Sequence, residues 1–417
     1  MLAVKEICAV RMMAKTIKYL LIVTWLSACG QPAPAPPPAE KSNNEETVEK
    51  PLRLGAERTE VYLPLLEGKS VGIVANQTSV VGNTHLVDTL LALGIAVKSV
   101  FAPEHGFRGN ASAGAKISDS KDPKTGLPIV SLYGSNYKPM PKMLAGLDVV
   151  IFDIQDVGTR FYTYISTMSY MMEACFENDV SLMILDRPNP NGHYIDGPVL
   201  EKEFSSFIGL HEVPVVHGMT VAEYAKMVFG EAWLKNHVRG TMTVIPMENY
   251  DRKKAYHLPI PPSPNLPSQT AIYLYPSLCF FEGTEVSEGR GTDKPFQQFG
   301  YPKMENGNTS FTPKSIDGVA KYPKLENKKC NGIDLSSIPL DSLRNMQQVN
   351  LEWLISTYQD YPEKDKFFKS DFFDKLAGSS ELRKQIIAGK SAEEIRATWQ
   401  KDLEEFKLIQ EKYLLYP

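Results

Sequence analysis

The stretch "LDVVIFDIQDVG" (147–158) is apolar without a break from Val149 to Phe152 and ends in acids and an amide. Such a run has no polar side to turn to water. It fits a strand buried on both faces, and strands of that kind lie in parallel sheets covered by helices. Runs of similar character recur as "SVGIVAN" (70–76), "IAVKSVFAP" (95–103), "LPIVSLYG" (127–134), "VSLMILDRPNPNG" (180–192) and "TMTVIPM" (241–247). Helical patterns alternate with them. "THLVDTLLALG" has Thr84 as its N-cap and Gly94 as its stop, "RFYTYISTMSYMMEACFEND" follows the central run, and Thr220-x-x-Glu223 is a capping box before "VAEYAKMVFG". This alternation predicts an α/β fold: a Rossmann-like, doubly wound, mostly parallel sheet. The first strand runs Gly72-Ile73-Val74-Ala75-Asn76 with no GxGxxG after it, so no nucleotide cofactor is expected.

The segment "LPIPPSPNLPSQ" (258–269) reads either as a domain boundary or as a rigid loop lining a cleft. Taking it as a boundary divides the chain into a Rossmann-like domain (53–262) and a smaller α+β domain (263–417) that completes the cleft. The second domain closes with a long helix from Ser391, capped by Glu394, that buries Ile395, Trp399, Leu403 and Phe406. A net charge of -4 over 417 residues, with cations scattered rather than striped, gives no footprint for nucleic acid.

The N-terminus has its own logic. Lys15 and Lys18 precede "YLLIVTWLSAC", an apolar run too short to span a bilayer stably. Leu26-Ser27-Ala28-Cys29 resembles a bacterial lipobox, in which the cysteine is acylated and becomes the first mature residue. The alternative is an ordinary signal peptide with a chance cysteine. Residues 1–29 thus read as a lipoprotein signal and 30–52 as a Pro-rich tether. The expectation is an exported lipoprotein of the cell envelope, facing the periplasm or on the outer membrane, held to the membrane by a lipid on Cys29. Cys175, Cys279 and Cys330 are too few and too scattered for a disulfide framework or a metal site.

In an open α/β sheet, ligands bind beyond the carboxyl ends of the strands. There the chain offers Asn76, then Glu104, His105 and Arg108, then Asp153, Gln155, Asp156 and Arg160, then Asp186, Arg187, Asn189 and Asn191. His217 precedes a helix start, and Tyr162 and Tyr164 follow Arg160. In the second domain "FEGTEVSEGRGTDKPF" (281–296) gathers Glu282, Glu285, Glu288 and Arg290 among glycines. Each has a plain structural alternative: an N-cap for the acids, a loop-holding pair for Asp186-Arg187, a solvated acidic loop for 281–296.

The motifs "APEHGFRG", "DVVIFDIQDVGTRFYTYISTM", "LDRPNPNG", "IDGPVL", "PVVHGMT" and "EGTEVSEGRGTDKPF" together resemble the NamZ-type exo-β-N-acetylmuramidase family. The resemblance runs from about residue 53 to the C-terminal Tyr-Pro. It implies a Rossmann-like domain, a smaller C-terminal domain and an active site in the cleft between them. It also implies release of N-acetylmuramic acid from the non-reducing ends of peptidoglycan fragments, with Glu104 as the catalytic glutamate.

Glycoside cleavage needs a proton on the leaving oxygen and, in most families, a second carboxyl group. Asp153 and Asp156 are the candidates for that second group; the substrate's own 2-acetamido oxygen is the other option. Muramic acid carries a lactyl carboxylate, for which Arg160, Arg187 and Arg290 are candidate partners. Two other functions fit the residues. One is a metal-dependent hydrolase built on His105, Asp153, Asp156 and His217, although no tight ligand spacing supports a metal. The other is a non-catalytic lipoprotein that binds cell-wall sugars.

Overall fold

A computed structural model describes residues 50–108, 120–134 and 136–417. The signal, Cys29 and nearly all of the tether lie outside these residues. A seven-stranded sheet is formed by β1 (Ser70–Ala75), β2 (Ala96–Ala102), β3 (Ser120–Lys121), β4 (Pro128–Ser131), β5 (Val149–Asp153), β6 (Ser181–Leu185) and β7 (Met242–Ile245). Their spatial order is β3-β4-β2-β1-β5-β6-β7, and all pair in parallel except the edge strand β3. The fold is the expected α/β one.

The unbroken apolar runs are explained by two cores. Val71, Ile73, Val100, Val149, Ile151 and Met183 belong to one cluster. The alternate residues Val74, Phe101, Val150, Phe152, Leu182 and Ile184 belong to the other. That second core continues without interruption into Phe281, Phe299, Phe367 and Phe373 beyond the Pro-rich segment. It includes α2 (Tyr164–Glu177), which is buried nearly all round, as its apolar sequence requires.

The C-terminal part combines a three-stranded antiparallel sheet, Gln298–Tyr301, Cys330–Asp334 and Thr309–Phe311, with a set of short helices. It is the smaller, mainly helical domain of the fold.

Two local expectations change. Thr84 lies in a two-stranded hairpin rather than at a helix start, and His85 caps α1 (Leu86–Ala92) by accepting Val87 N–H on Nδ1. The single closing helix is two, Ala392–Thr398 and Gln400–Gln410. They break at Trp399, whose indole N–H donates to Asp196 at 3.1 Å. The Ser391/Glu394 and Thr220/Glu223 capping boxes both form, the latter at the start of α3 (Val221–Gly230). Finally, the Pro-rich segment faces a cavity, through Ser263, Asn265 and Leu266.

Candidate active site

Glu104 stands on a turn just past β2. Gly106 N–H donates to Pro103 O at 3.0 Å, and the turn puts His105 at φ 70° and Gly106 at φ 81°. A left-handed third residue is what a type II turn needs, and it is normally glycine or asparagine. A histidine there costs about 1–3 kcal/mol, a kind of strain that collects at functional sites. Thr163, the residue before α2, donates its hydroxyl to Glu104 Oε2 at 3.1 Å. The Tyr164 hydroxyl reaches Glu104 O at 3.4 Å. Tyr133, beyond β4, hydrogen-bonds the Glu104 side chain; burial and then the Glu104 charge push its phenol well above its usual range.

These groups open on a cavity of about 520 Å³, a size suited to a small ligand. One wall is aromatic: Tyr162 and Tyr164 meet edge-on at 4.9 Å, and Tyr275 meets Phe296 edge-on at 4.9 Å. At another side Phe207 stacks on Tyr137 at 3.9 Å. The opposite charges come from the second domain. Helix α4 (Gln269–Leu278), capped by Ser268, runs into a 3₁₀ turn, Cys279–Gly283, that carries Glu282. Arg290 Nη2 donates to Glu282 Oε1 at 2.5 Å, and its Nε lies 3.5 Å from Glu288 Oε1. Glu288 in turn meets Lys324 at 2.8 Å. Burial raises the Glu282 carboxyl, and Arg290 only partly opposes it. Burial works the same way on Glu288, but Lys324 and Arg290 together hold that carboxyl below its usual range.

Of the residues singled out in the sequence, Glu104, His105, Tyr162, Tyr164, Glu282 and Arg290 line the cavity, and Glu288 stands behind Arg290. The rest are engaged elsewhere. Asp153 is fully buried and takes a two-pronged ion pair from Arg187, Nε to Oδ1 at 2.5 Å and Nη2 to Oδ2 at 2.9 Å. Asp156 turns back to accept Gly158 N–H at 2.6 Å, and burial lifts it to about 7. Gly158 is irreplaceable there: φ is +75°, and a Cβ would stand 2.1 Å from the Asn189 amide. Gln155 donates to Asp156 O and Pro188 O, while Asn76 accepts from Thr78.

Arg160 donates to three backbone carbonyls, of Pro198, Val213 and Leu376, tying the sheet's loops to the C-terminal domain. Arg108 forms a two-pronged pair with Asp122. Asp186 accepts from Thr220, Ala222 and Tyr416; Asn189 donates to Met219 O and Asn191 to Val157 O. His217 is fully buried; burial, with Arg160 adding to it, lowers its ring to about 3 and leaves it neutral. Glu285 pairs at 3.5 Å with Lys369, away from the cavity. Asp153, Asp156, Arg160, Arg187 and His217 are thus buried away from the cavity and hold the fold. Asp153 and Arg187 satisfy each other, whereas Asp156 Oδ1, Arg160 Nε and His217 Nε2 are buried without a hydrogen-bond partner among the described residues. Among the described residues no group of three His, Cys, Asp or Glu side chains is placed to hold a metal ion.

Sequence reasoning missed Tyr133, Tyr137, Phe207, Asn265 and Lys375 as cavity residues and preferred Glu285 and Glu288 to Glu282. The rule that located Glu104 also reaches Tyr133, since Tyr133 follows β4 in the same way. Nothing local in the sequence marks Phe207 or Lys375.

A carboxyl on a turn beyond a parallel strand, facing an aromatic-walled, charged cavity, suits an enzyme that handles a saccharide. The comparisons narrow it. Residues 71–270 match the N-terminal and 273–416 the C-terminal domain profile of exo-beta-N-acetylmuramidase NamZ, and the chain belongs to that family. It is 39% identical over 374 residues to the peptidoglycan beta-N-acetylmuramidase NamZ of Bacillus subtilis (strain 168), covering 85% of this chain and 89% of that one. A DUF1343 family protein of Bacteroides fragilis NCTC 9343 superposes with a TM-score of 0.82 at 48% identity, over 88% of this chain and 99% of its own. A second from the same organism gives 0.73 at 30% identity, with the same coverage of both chains.

Proposed function

We propose that the protein is an exo-acting glycoside hydrolase that removes N-acetylmuramic acid from the non-reducing ends of peptidoglycan fragments. The observation that carries this is Glu104, set by Thr163 and Tyr133 at the wall of a cavity that also holds the Glu282–Arg290 pair. Glu104 donates the proton to the leaving oxygen. Neither Asp153 nor Asp156 lines the cavity and Glu282 there is engaged by Arg290, so attack at the anomeric carbon falls to water or to the substrate's 2-acetamido oxygen. Arg290 is the one candidate arginine that lines the cavity, and it receives the lactyl carboxylate.

The test is product analysis. Peptide-free muramoyl saccharides labelled at the reducing end should lose single N-acetylmuramic acid units from the far end. Internal cleavage, or saturable binding without turnover, would reject the reading.

Export fits the same reading, because peptidoglycan lies outside the cytoplasm. The Leu26-Ser27-Ala28-Cys29 motif and the Pro-rich stretch after it support a lipid anchor on Cys29 and a place in the cell envelope. Fatty-acid labelling that disappears in Cys29→Ala supports the anchor; labelling that persists rejects it.

A further inference from the structure

Glu282, Arg290, Glu288 and Lys324 form a chain of two acids and two cations with no net charge. Their side chains are 19%, 23%, 3% and 19% exposed, so an extra charge brought among them is poorly screened by water. The chain is also asymmetric. Glu288 has Lys324 at 2.8 Å besides Arg290, whereas Glu282 has Arg290 as its hydrogen-bonded cation.

We propose that the substrate's carboxylate takes the place of Glu282 on the Arg290 guanidinium, and that the released Glu282 takes up one proton from solvent as the substrate binds. The inference rests on the function proposed above, which supplies a sugar bearing a free lactyl carboxylate. A third carboxylate would leave the cluster with one excess negative charge. Protonation of one glutamate removes it. Glu288 keeps Lys324 and stays ionised, so the proton goes to Glu282, which gives up its salt bridge. Burial already favours the protonated form of Glu282 and not of Glu288.

Of the other titratable groups near Glu282, Lys375 is a cation that would oppose its protonation, but it is exposed to water, which screens it; the rest do not alter the direction. Cys279 on its own turn and Tyr275 on α4 are both pushed upward by burial and stay neutral. From the helix α5 (Ser370–Ala377), Asp374 is held by Arg383 at 2.7 Å, Asp371 is exposed, and Lys375 reaches the cavity. Glu104 and His105 stand elsewhere on the cavity wall. The consequence is selectivity with a pH signature: a sugar without a carboxylate leaves Glu282 on Arg290 and draws no proton.

Titration calorimetry of the full chain with free N-acetylmuramic acid, in buffers of different ionisation enthalpy, counts the protons. Wild type at pH 8 should take up about one proton per ligand, and affinity should weaken about 10-fold per pH unit as pH rises, because the free protein has Glu282 ionised and the complex does not. N-Acetylglucosamine should bind with no uptake and no slope. Glu282→Gln should bind muramic acid without proton uptake, with a flat pH profile and at least about 10-fold more tightly at pH 8. Glu104→Gln should keep the uptake.

Binding of muramic acid without proton uptake overturns this proposal alone, and includes the case in which Lys375 holds the carboxylate. Uptake that survives in Glu282→Gln overturns it too. No binding of muramic acid to wild type overturns this proposal, while the function it rests on stands or falls with the product analysis. The wild-type proton count stands on its own if Glu282→Gln fails to fold.

Discussion

The Thr163 hydroxyl donates to Glu104 Oε2 at 3.1 Å, so the residue that opens α2 fixes the carboxyl that follows β2. Two elements distant in sequence meet at one side chain. Without that hydroxyl the carboxyl is no longer held in place, and a misplaced catalytic group costs rate steeply. Thr163→Val should therefore lower kcat by about 10-fold or more on a muramoyl glycoside, with KM little changed. Thr163→Ser keeps the hydroxyl and should restore most of the rate. Equal losses in the two variants would show that packing, not the hydrogen bond, matters at this position.

The Asp153–Arg187 pair is expected to govern stability rather than chemistry. Its side chains are 0% and 4% exposed, and Arg187 also donates to Val80 O. Asp153→Asn leaves a buried guanidinium without its counter-charge and should cost about 3–5 kcal/mol in urea unfolding. The double variant Asp153→Asn, Arg187→Met should lose less than the two single losses added together. Specific activity of the folded Asp153→Asn protein should stay within a few fold of wild type; a deep loss of turnover without a loss of stability would return Asp153 to the chemistry.

Asp156 predicts a pH dependence of folding. Burial raises its carboxyl from 3.8 to about 7 in the folded chain. Between those values the folded state holds a proton that the unfolded state has released. Stability therefore falls as pH rises through that window, by up to about 1.4 kcal/mol per pH unit for this group, and levels off above about 7. Asp186, raised by burial to about 7, adds a second contribution of the same sign. Asp156→Asn removes one of the two, so its stability should decline less steeply between pH 5 and 7 than that of wild type. Parallel curves would mean that Asp156 is ionised in the folded chain.

The parts of this molecule that follow from local pattern were legible in its sequence. Apolar runs marked β1, β5 and β6, a run interrupted by Lys98 and Ser99 marked β2, and the capping pairs Thr220/Glu223 and Ser391/Glu394 marked two helix starts. Topology pointed to Glu104 and His105 through their place after a strand. The same logic overreached with Asp153, Asp156, Asp186 and Arg187. Those residues do lie at strand ends, yet their side chains turn into the protein and pair there. Sequence separates a cleft carboxylate from a buried one poorly, because the partner that decides it is distant: Arg160 finds Leu376, 216 positions away. Glu282 was named among the acids of the 281–296 loop, but nothing in the sequence favoured it over Glu285 or Glu288. It sits three residues from Glu285, and only the 3₁₀ turn ending at Gly283 aims one at the cavity and lets the other meet Lys369.

The central claim is that Glu104 supplies the proton for release of N-acetylmuramic acid, and the most direct test is the rate of that release from a synthetic muramoyl β-glycoside by wild type and Glu104→Gln. Wild type should liberate muramic acid, while Glu104→Gln should be slower by about 100-fold or more at an unchanged melting temperature. Release by Glu104→Gln at a rate near that of wild type would contradict the account.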